Sequence, residues 1–179
     1  HHLKNKAAME QRINEILEFV ELTDRADDKS RRYSGGMKRR LMIGMALLHK
    51  PKMLFLDEPT VGLDPQVRRK MWDLIRKMNE AGMTVLLTTH YIEEADQLCR
   101  RVAIMNRGRI IAVDTPQKLK EKVGRVVVEH MEADGMINNF FDNREQAASY
   151  VAGLDSNATV REANLEDVFI ELTGRRVND

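Results

Sequence analysis

The stretch Met53-Leu54-Phe55-Leu56-Asp57-Glu58-Pro59 is a short apolar run that ends in two adjacent carboxylates. Its brevity, and the prolines on both sides of the apolar run, favour a β-strand over a helix. Because four consecutive residues are apolar, we predict a strand that is buried on both faces, as in parallel sheets covered by helices. Ligands of open parallel sheets bind at the carboxyl ends of the strands, which is where Asp57 and Glu58 lie.

Two further apolar runs follow the first, and a helical pattern separates each run from the next. Met83 to Leu87 predicts a second buried strand, which leads into Thr88-Thr89-His90, and Val102 to Met105 predicts a third. The first intervening helix begins at Asp64-Pro65, with Asp at the N-cap position and Pro at the first helical position. This alternation predicts an α/β fold with a parallel sheet and crossover helices.

The segments on either side of this alternation have their own patterns. Before it, apolar residues at three- and four-residue steps from Met9 to Val20 predict a helix, and a second helix starts after Ser34-Gly35-Gly36. After Gly124, mixed strand and helix patterns predict a small α+β appendix, whose last helix runs from Leu165 to Thr173. We therefore predict three parts, residues 1–50, 51–123 and 124–179.

The composition excludes several classes of protein. With 29 basic and 28 acidic residues the formal net charge is +1, so the chain lacks the basic field that duplex nucleic acid attracts, and no nucleic-acid partner is expected. No apolar run approaches the roughly 18 residues of a membrane-spanning helix, so no direct membrane span is expected. Cys99 is the only cysteine, which excludes an intrachain disulfide and a multi-cysteine metal site.

The turn Tyr33-Ser34-Gly35-Gly36-Met37, just before the second helix, is a candidate anion site. Glycines let backbone N–H groups approach a ligand closely, Ser34 offers a hydroxyl, and the helix dipole adds partial positive charge. Phosphate is the anion that this arrangement favours. The alternative is that Ser34 only caps its helix, a contribution of about 1 kcal/mol.

Two strand ends supply the other candidate groups. Of the pair Asp57-Glu58, one carboxylate can hold a hard cation such as Mg²⁺ while the next orients and deprotonates a water molecule. The alternative is two solvated acids in a loop before Pro59. His90 can donate a hydrogen bond to a phosphate oxygen or hold a catalytic carboxylate, and the alternative there is a structural histidine.

The order of these features resembles one family. Ser-Gly-Gly before a helix, an apolar run with Asp-Glu-Pro, the turn Gly62-Leu63-Asp64-Pro65 and then Thr-Thr-His are similar to the nucleotide-binding domain of an ATP-binding-cassette (ABC) transporter. The resemblance spans Arg32 to Asp114. It implies a partial P-loop NTPase sheet in residues 51–123 and part of the helical subdomain in residues 1–50.

The resemblance also implies a role for each site residue, with ATP and Mg²⁺ as cofactors. Asp57 would reach Mg²⁺, Glu58 would be the general base for the attacking water, and His90 would sense the γ-phosphate. The turn 33–37 would be the signature motif, which contacts ATP bound on an opposing subunit, and Asp64 would lie in the D-loop at that interface. Tyr33 and Met37 depart from the Leu and Gln that are usual in this motif.

By the same resemblance, the chain is the C-terminal portion of the ATP-hydrolysing subunit of a transporter. Its partners would be a transmembrane permease subunit and a second nucleotide-binding subunit, identical or different, on the cytoplasmic face of the cell membrane. The tail Leu165-Glu166-Asp167-Val168-Phe169, with Leu172-Thr173-Gly174 after it, is similar to tails of the export branch, which moves drugs, polysaccharides or lipids.

One feature of the family has no counterpart in this sequence. The phosphate loop GxxxxGK[ST] requires a glycine followed by lysine, and none of the ten glycines is followed by lysine. We therefore expect a fragment that does not turn over ATP by itself. We also expect a gap in the parallel sheet, where an unpaired strand edge and exposed apolar surface would favour association or repacking.

Two alternative functions stay open. The first is a non-transport ABC protein that acts on nucleic acid or ribosomes, for which the basic cluster Arg31, Arg32, Lys38, Arg39 and Arg40 could be cited. A net charge of +1 argues against it, and such a cluster is usually a solvated helix face. The second is a non-catalytic half-domain that supplies its signature motif in trans to the ATP of another subunit.

Overall fold

The computed structural model describes residues 2–132, 135–154 and 156–174. The chain divides into two compact units, His1–Thr89 and His90–Asp179. The division into residues 1–50, 51–123 and 124–179 stays a prediction.

In its described residues the first unit contains three α-helices, two short 3-10 helices (Thr23–Arg25 and Ser30–Arg32) and a two-stranded parallel sheet. The α-helices are α1 (His2–Phe19), α2 (Gly35–Leu47) and α3 (Pro65–Glu80), and the strands are β1 (Met53–Asp57) and β2 (Thr84–Thr88). The strands pair in register from Met53 opposite Thr84 to Asp57 opposite Thr88. The predicted strand–helix–strand order is therefore confirmed, and both strands end at the same edge of the sheet.

Helices α1 and α2 pack closely and run antiparallel. A Cβ on Gly44 would lie 3.0 Å from Cγ2 of Ile16, so the glycine permits this close approach. An arginine of each helix also donates a hydrogen bond to a main-chain carbonyl at the C-terminal end of the other helix. Arg12 donates to the carbonyl of Leu47 at 2.9 Å, and Arg40 donates to the carbonyl of Val20 at 3.0 Å. These contacts satisfy carbonyl groups that have no partner within their own helix.

The prediction that the strands are buried on both faces is wrong for the described residues. Leu54 is 9% exposed, whereas Phe55 is 68% and Leu86 is 51% exposed. Successive side chains of a strand point to opposite faces of the sheet, and α3 packs against β2 on one side. The other face therefore presents apolar side chains to solvent, and the expected gap in the sheet stays a prediction.

The second unit begins with a helix and a hairpin. Its first elements are α4 (Ile92–Leu98), β3 (Val102–Asn106), β4 (Arg109–Asp114) and α5 (Pro116–Val123). The turn between the strands has positive φ at Arg107 and Gly108, which matches the right-handed twist of a hairpin. Ile104, Leu119, Leu165 and Val168 form the core of this part. Strand β3 pairs antiparallel with β4, so the parallel sheet of the described residues is β1–β2.

The predicted α+β appendix forms a three-stranded antiparallel sheet. The strands are β5 (Val126–Glu132), β6 (Gly135–Phe141) and β7 (Ala158–Glu162), in the order β6-β5-β7, and the helices are α6 (Arg144–Val151) and α7 (Leu165–Thr173). The bounds of α7 agree with the sequence prediction. Strand β6 and helix α5 were not predicted.

A buried ion pair stabilises the start of α7. Asp167 is 2% exposed and accepts two hydrogen bonds from Arg161, both at 2.7 Å. Asn164 caps the helix, and Asp167 completes a capping box by accepting from the main-chain N–H of Asn164 at 2.8 Å. Arg161 also donates to Glu129 on β5 at 2.8 Å. The charge pair therefore connects β5, β7 and α7.

Candidate functional site

Asp57 lies at the carboxyl end of β1, directly beside Thr88 at the end of β2. The hydroxyl Oγ1 of Thr88 donates a hydrogen bond to Oδ1 of Asp57. Asp57 is exposed, so its carboxylate is oriented by one partner while it stays accessible to solvent. The predicted position of Asp57 is confirmed. The orienting role of Thr88 was missed, because only the strand register reveals it.

Glu58 adopts an uncommon main-chain conformation. Its φ is +47°, in the left-handed region that side-chain-bearing residues seldom enter. Its N–H donates to the carbonyl of Thr88 at 3.1 Å, and its own carbonyl accepts from the N–H of Val61 at 3.3 Å. Glu58 therefore opens a turn that leaves the sheet edge. Such conformations cluster at functional sites, where the surrounding structure holds them.

An arginine from α2 holds this turn. Arg39 donates from Nη1 to the carbonyl of Glu58 and from Nη2 to the carbonyl of Val61, the latter at 2.7 Å. Sequence reasoning placed Arg39 in a basic cluster. No local signal could identify its partners, because they lie 19 and 22 residues further along the chain.

Two of the five residues of the basic cluster, Arg39 and Arg40, bind main-chain carbonyls within the fold. Besides Arg39, Arg40 is engaged with the carbonyls of Val20 and Glu21, at 3.0 and 3.1 Å. A guanidinium that binds main-chain carbonyls within the fold has fewer donors left for phosphates. The structure therefore gives no support to a nucleic-acid surface centred on this helix.

Ser34 is the N-cap of α2. Its Oγ accepts a hydrogen bond from the N–H of Met37 at 3.2 Å, and the serine is exposed. The capping alternative is thus observed, and the proposed contact with phosphate stays a prediction. The two roles are compatible, since a hydroxyl that accepts from a backbone N–H still has its own hydrogen to donate.

The two glycines of the turn differ in their surroundings. A Cβ on Gly36 would lie 2.3 Å from Cγ1 of Val67, so Gly36 permits the contact between α2 and α3. The Cβ position of Gly35 has nothing within 4 Å. Gly35 is also exposed, and the approach of an anion to the N–H groups at this helix start stays a prediction.

Tyr33 has a packing role that the predicted signature contact did not anticipate. Its ring is buried, and its hydroxyl donates to the carbonyl of Arg25 at 2.6 Å. Met37 is half-buried. The tyrosine therefore fixes the connector between α1 and α2. Any ligand contact at residues 33 and 37 stays a prediction.

Asp64 caps α3, as predicted. Its Oδ1 accepts from the N–H groups of Gln66 and Val67, both at 3.0 Å, with Pro65 at the first helical position. Gly62, with φ of +73°, turns the chain toward this cap. The segment from Glu58 to Asp64 is thus held at both ends. Its placement at a subunit interface stays a prediction.

His90 begins the second unit. It is exposed, and its ring lies 4.3 Å from the ring of Tyr91, centroid to centroid, at an interplanar angle of 41°. The position after β2 is confirmed. Its contact with a phosphate stays a prediction.

Asp57 fits a single-carboxylate Mg²⁺ site. Mg²⁺ in nucleotide sites takes one or two carboxylates and completes its shell with waters and substrate phosphates. The described residues contain no group of three or more His, Cys, Asp or Glu side chains that could hold a metal without a substrate. The exposed carboxylate of Asp57 at the sheet edge can supply one oxygen ligand to such an ion.

No helix in the described part of the chain combines the length and the apolar character needed to cross a bilayer.

Comparisons with known proteins agree with the sequence resemblance. A family model described as ABC transporter matches residues 1–61, which include the turn 33–37 and the pair Asp57-Glu58. The linearmycin resistance ATP-binding protein LnrL of Bacillus subtilis is 38% identical in an alignment that covers 94% of this chain and 64% of that protein. The Nod factor export ATP-binding protein I of Cupriavidus metallidurans is 38% identical, over 98% of this chain and 65% of that protein.

The solved structures that match this chain include ATP-binding cassettes of ABC transporters. CbiO1 of Clostridium perfringens, described as part of an ABC transporter complex, matches with a TM-score of 0.60 and 31% identity over 64% of this chain and 46% of its own. A nucleotide-free ATP-binding cassette from an ABC transporter matches with a TM-score of 0.60 and 28% identity over 63% of this chain and 45% of its own. The chain spans just under two thirds of the length of the curated relatives named above. These matches support an ABC transporter ATP-binding protein, to which the chain is similar over more than nine tenths of its own length.

Proposed function

We propose that the chain is part of a subunit that hydrolyses MgATP at an interface between two nucleotide-binding subunits and couples this to export. The observation that carries the proposal is the pair Asp57-Glu58 at the carboxyl end of β1. Asp57 is oriented by Thr88, and Glu58 is turned out of the strand by its positive φ. The two carboxylates are therefore adjacent at the end of one strand but differ in main-chain conformation and hydrogen bonding, and they can perform different tasks.

In this proposal each group has one task. Asp57 holds the Mg²⁺ that accompanies ATP, and that ion neutralises charge on the phosphates. Glu58 orients the attacking water and accepts its proton. The N–H groups at the start of α2, beside Gly35, and the hydroxyl of Ser34 donate to the γ-phosphate of ATP held by the second subunit. On the family resemblance alone, His90 donates to a phosphate oxygen.

Export is the direction that the relatives support. The names of two relatives state linearmycin resistance and Nod factor export, and both proteins match more than nine tenths of this chain. The partners we propose are a transmembrane permease subunit and a second nucleotide-binding subunit. We further propose that the chain acts on the cytoplasmic face of the membrane.

The test is ATP hydrolysis by the full-length gene product that contains this chain. Glu58→Gln keeps the size of the side chain and removes its basicity, so we expect turnover to fall by about 10²–10⁴-fold while MgATP binding is retained. The 179-residue chain alone is expected to show no turnover, since it lacks a GxxxxGK[ST] loop. Turnover that Glu58→Gln leaves unchanged would contradict the proposal.

A further inference from the structure

Arg39 contacts two main-chain carbonyls of the turn that begins at Glu58. Its Nη1 donates to the carbonyl of Glu58, and its Nη2 donates to the carbonyl of Val61 at 2.7 Å. A guanidinium presents its donors in a rigid planar fork, so the two bonds together fix the distance and direction between the two carbonyls. Lysine, with one ammonium on a flexible stem, cannot reproduce this.

The turn has weaker bonds of its own. The N–H of Val61 donates to the carbonyl of Glu58 at 3.3 Å, and the N–H of Leu63 donates to the carbonyl of Thr60 at 3.2 Å. Hydrogen bonds that involve an ionised group are roughly twice as strong as neutral ones. The two bonds from Arg39 are therefore expected to be stronger than these two bonds between main-chain groups.

The main chain at Glu58 determines where its carboxylate points. With φ at +47°, the Cα–Cβ bond leaves the strand in a direction that the usual extended conformation would not give. Such a conformation persists only when neighbouring contacts hold it. The N–H of Glu58 is held by the carbonyl of Thr88, and its carbonyl is held by Arg39.

Arg39 also belongs to the helix that starts with the Ser34 cap. It lies five residues after Ser34, within the first turns of α2. An anion bound at the start of this helix would therefore act on the same rigid element that holds Glu58.

We infer that Arg39 is a positioning residue for Glu58. It holds the turn Glu58–Val61 in the conformation that directs the carboxylate, and it joins this turn to the helix that begins with Ser34-Gly35-Gly36. The inference rests on the proposed role of Glu58 in ATP hydrolysis.

Arg40 provides a matched control. It is the next residue of the same helix and also donates to two main-chain carbonyls, those of Val20 and Glu21, at 3.0 and 3.1 Å. These carbonyls lie at the end of α1. Loss of either arginine removes two hydrogen bonds to main-chain carbonyls, and loss of Arg40 also removes a contact of 3.4 Å with the carboxylate of Glu21. Of the two arginines, Arg39 is the one that contacts the Glu58 turn.

The experiment measures steady-state ATP hydrolysis of the full-length gene product with Arg39→Gln, Arg39→Lys, Arg40→Gln and Glu58→Gln. Arg39→Gln is expected to lower kcat by about 10–100-fold with KM for ATP changed less than about threefold, because small misplacements of a catalytic group cost rates of this size. Arg39→Lys is expected to recover little of the loss. Arg40→Gln is expected to lower thermal stability as much as Arg39→Gln and to leave kcat within about twofold of the wild type.

A second measurement follows the turn itself. Hydrogen exchange of the peptide that contains Val61 and Leu63 is expected to accelerate in Arg39→Gln and to stay at the wild-type rate in Arg40→Gln. Wild-type kcat and exchange in Arg39→Gln would overturn the inference, as would equal losses of kcat in Arg39→Gln and Arg40→Gln. If Glu58→Gln leaves turnover unchanged, the proposed function fails instead. The exchange data then still decide whether Arg39 holds the turn.

Discussion

Gly36 on α2 and Val67 on α3 meet so closely that a Cβ on the glycine would lie 2.3 Å from Cγ1 of the valine. This contact brings the helix that carries Ser34 against the helix that Asp64 caps. Gly35, one residue earlier, has open space at its own Cβ position. One glycine of the predicted anion turn is therefore required by packing, and the other is not.

This difference predicts that alanine destabilises the protein at position 36 but has little effect at position 35. Gly36→Ala should lower the free energy of unfolding by about 1–3 kcal/mol, the usual cost of overpacking. Gly35→Ala should change it by no more than about 0.5 kcal/mol, as for surface positions. Urea denaturation of the full-length gene product measures both. Adding Val67→Ala to Gly36→Ala should restore part of the loss, and equal effects of the two glycine variants would contradict the packing account.

The ion pair at the start of α7 predicts a second stability effect. Asp167→Asn keeps the shape of the side chain and removes the charge that faces Arg161. We expect a loss of about 1.5–3 kcal/mol, because two charge-assisted hydrogen bonds to the buried Asp167 are weakened while Arg161 keeps Glu129 as a partner. The matched control is Arg144→Ala, whose pair with Glu162 is about 80% exposed on both sides and should contribute less than about 1 kcal/mol. Similar losses in both variants would show that burial of the pair does not matter.

Cys99 provides a prediction about pH. Burial raises the pKa of its thiol above the ordinary value, and the nearby carboxylate of Glu94 raises it further. The folded chain therefore holds less thiolate at a given pH than the unfolded chain. Alkylation by iodoacetamide at pH 8 should be slower in buffer than in urea, and its rate should reach half-maximum at a higher pH in the folded state.

The same shift affects stability in a defined direction. A thiol whose pKa is higher in the folded state keeps its proton while the unfolded state loses one, so the free energy of unfolding falls as pH rises above the ordinary thiol pKa. Cys99→Ser should remove this contribution. If the wild type and Cys99→Ser show the same slope of unfolding free energy against pH between the ordinary and the raised pKa, this account of Cys99 is contradicted.

Elements with local signals were predictable from the sequence. The bounds of α7 agree because Asn164 caps its start and Gly174, with φ of +64°, ends it, and both signals lie within the segment. Asp57 was placed correctly because an apolar run ends at it. In contrast, β6 contains Gly135 and the pair Asn138-Asn139, which obscure the strand pattern in the sequence. This segment is a strand because its main chain pairs with β5.

Long-range contacts were not predictable. The bonds of Arg39 to the Glu58 turn cross 19 and 22 residues of sequence, and the bond from Thr88 to Asp57 crosses 31. The exposure of Phe55 was missed for a related reason. An apolar run predicts burial only if both faces of the sheet are covered, and coverage depends on elements elsewhere in the fold.

The most direct test of the central claim is single-turnover ATP hydrolysis by the full-length gene product with Glu58→Gln and, as a matched control, Glu93→Gln. Glu93 is an exposed glutamate in the first turn of α4. We predict that Glu58→Gln binds MgATP and hydrolyses it about 10²–10⁴-fold more slowly, while Glu93→Gln hydrolyses it at the wild-type rate. Equal rates for Glu58→Gln and the wild type would contradict the assignment of Glu58 as the general base.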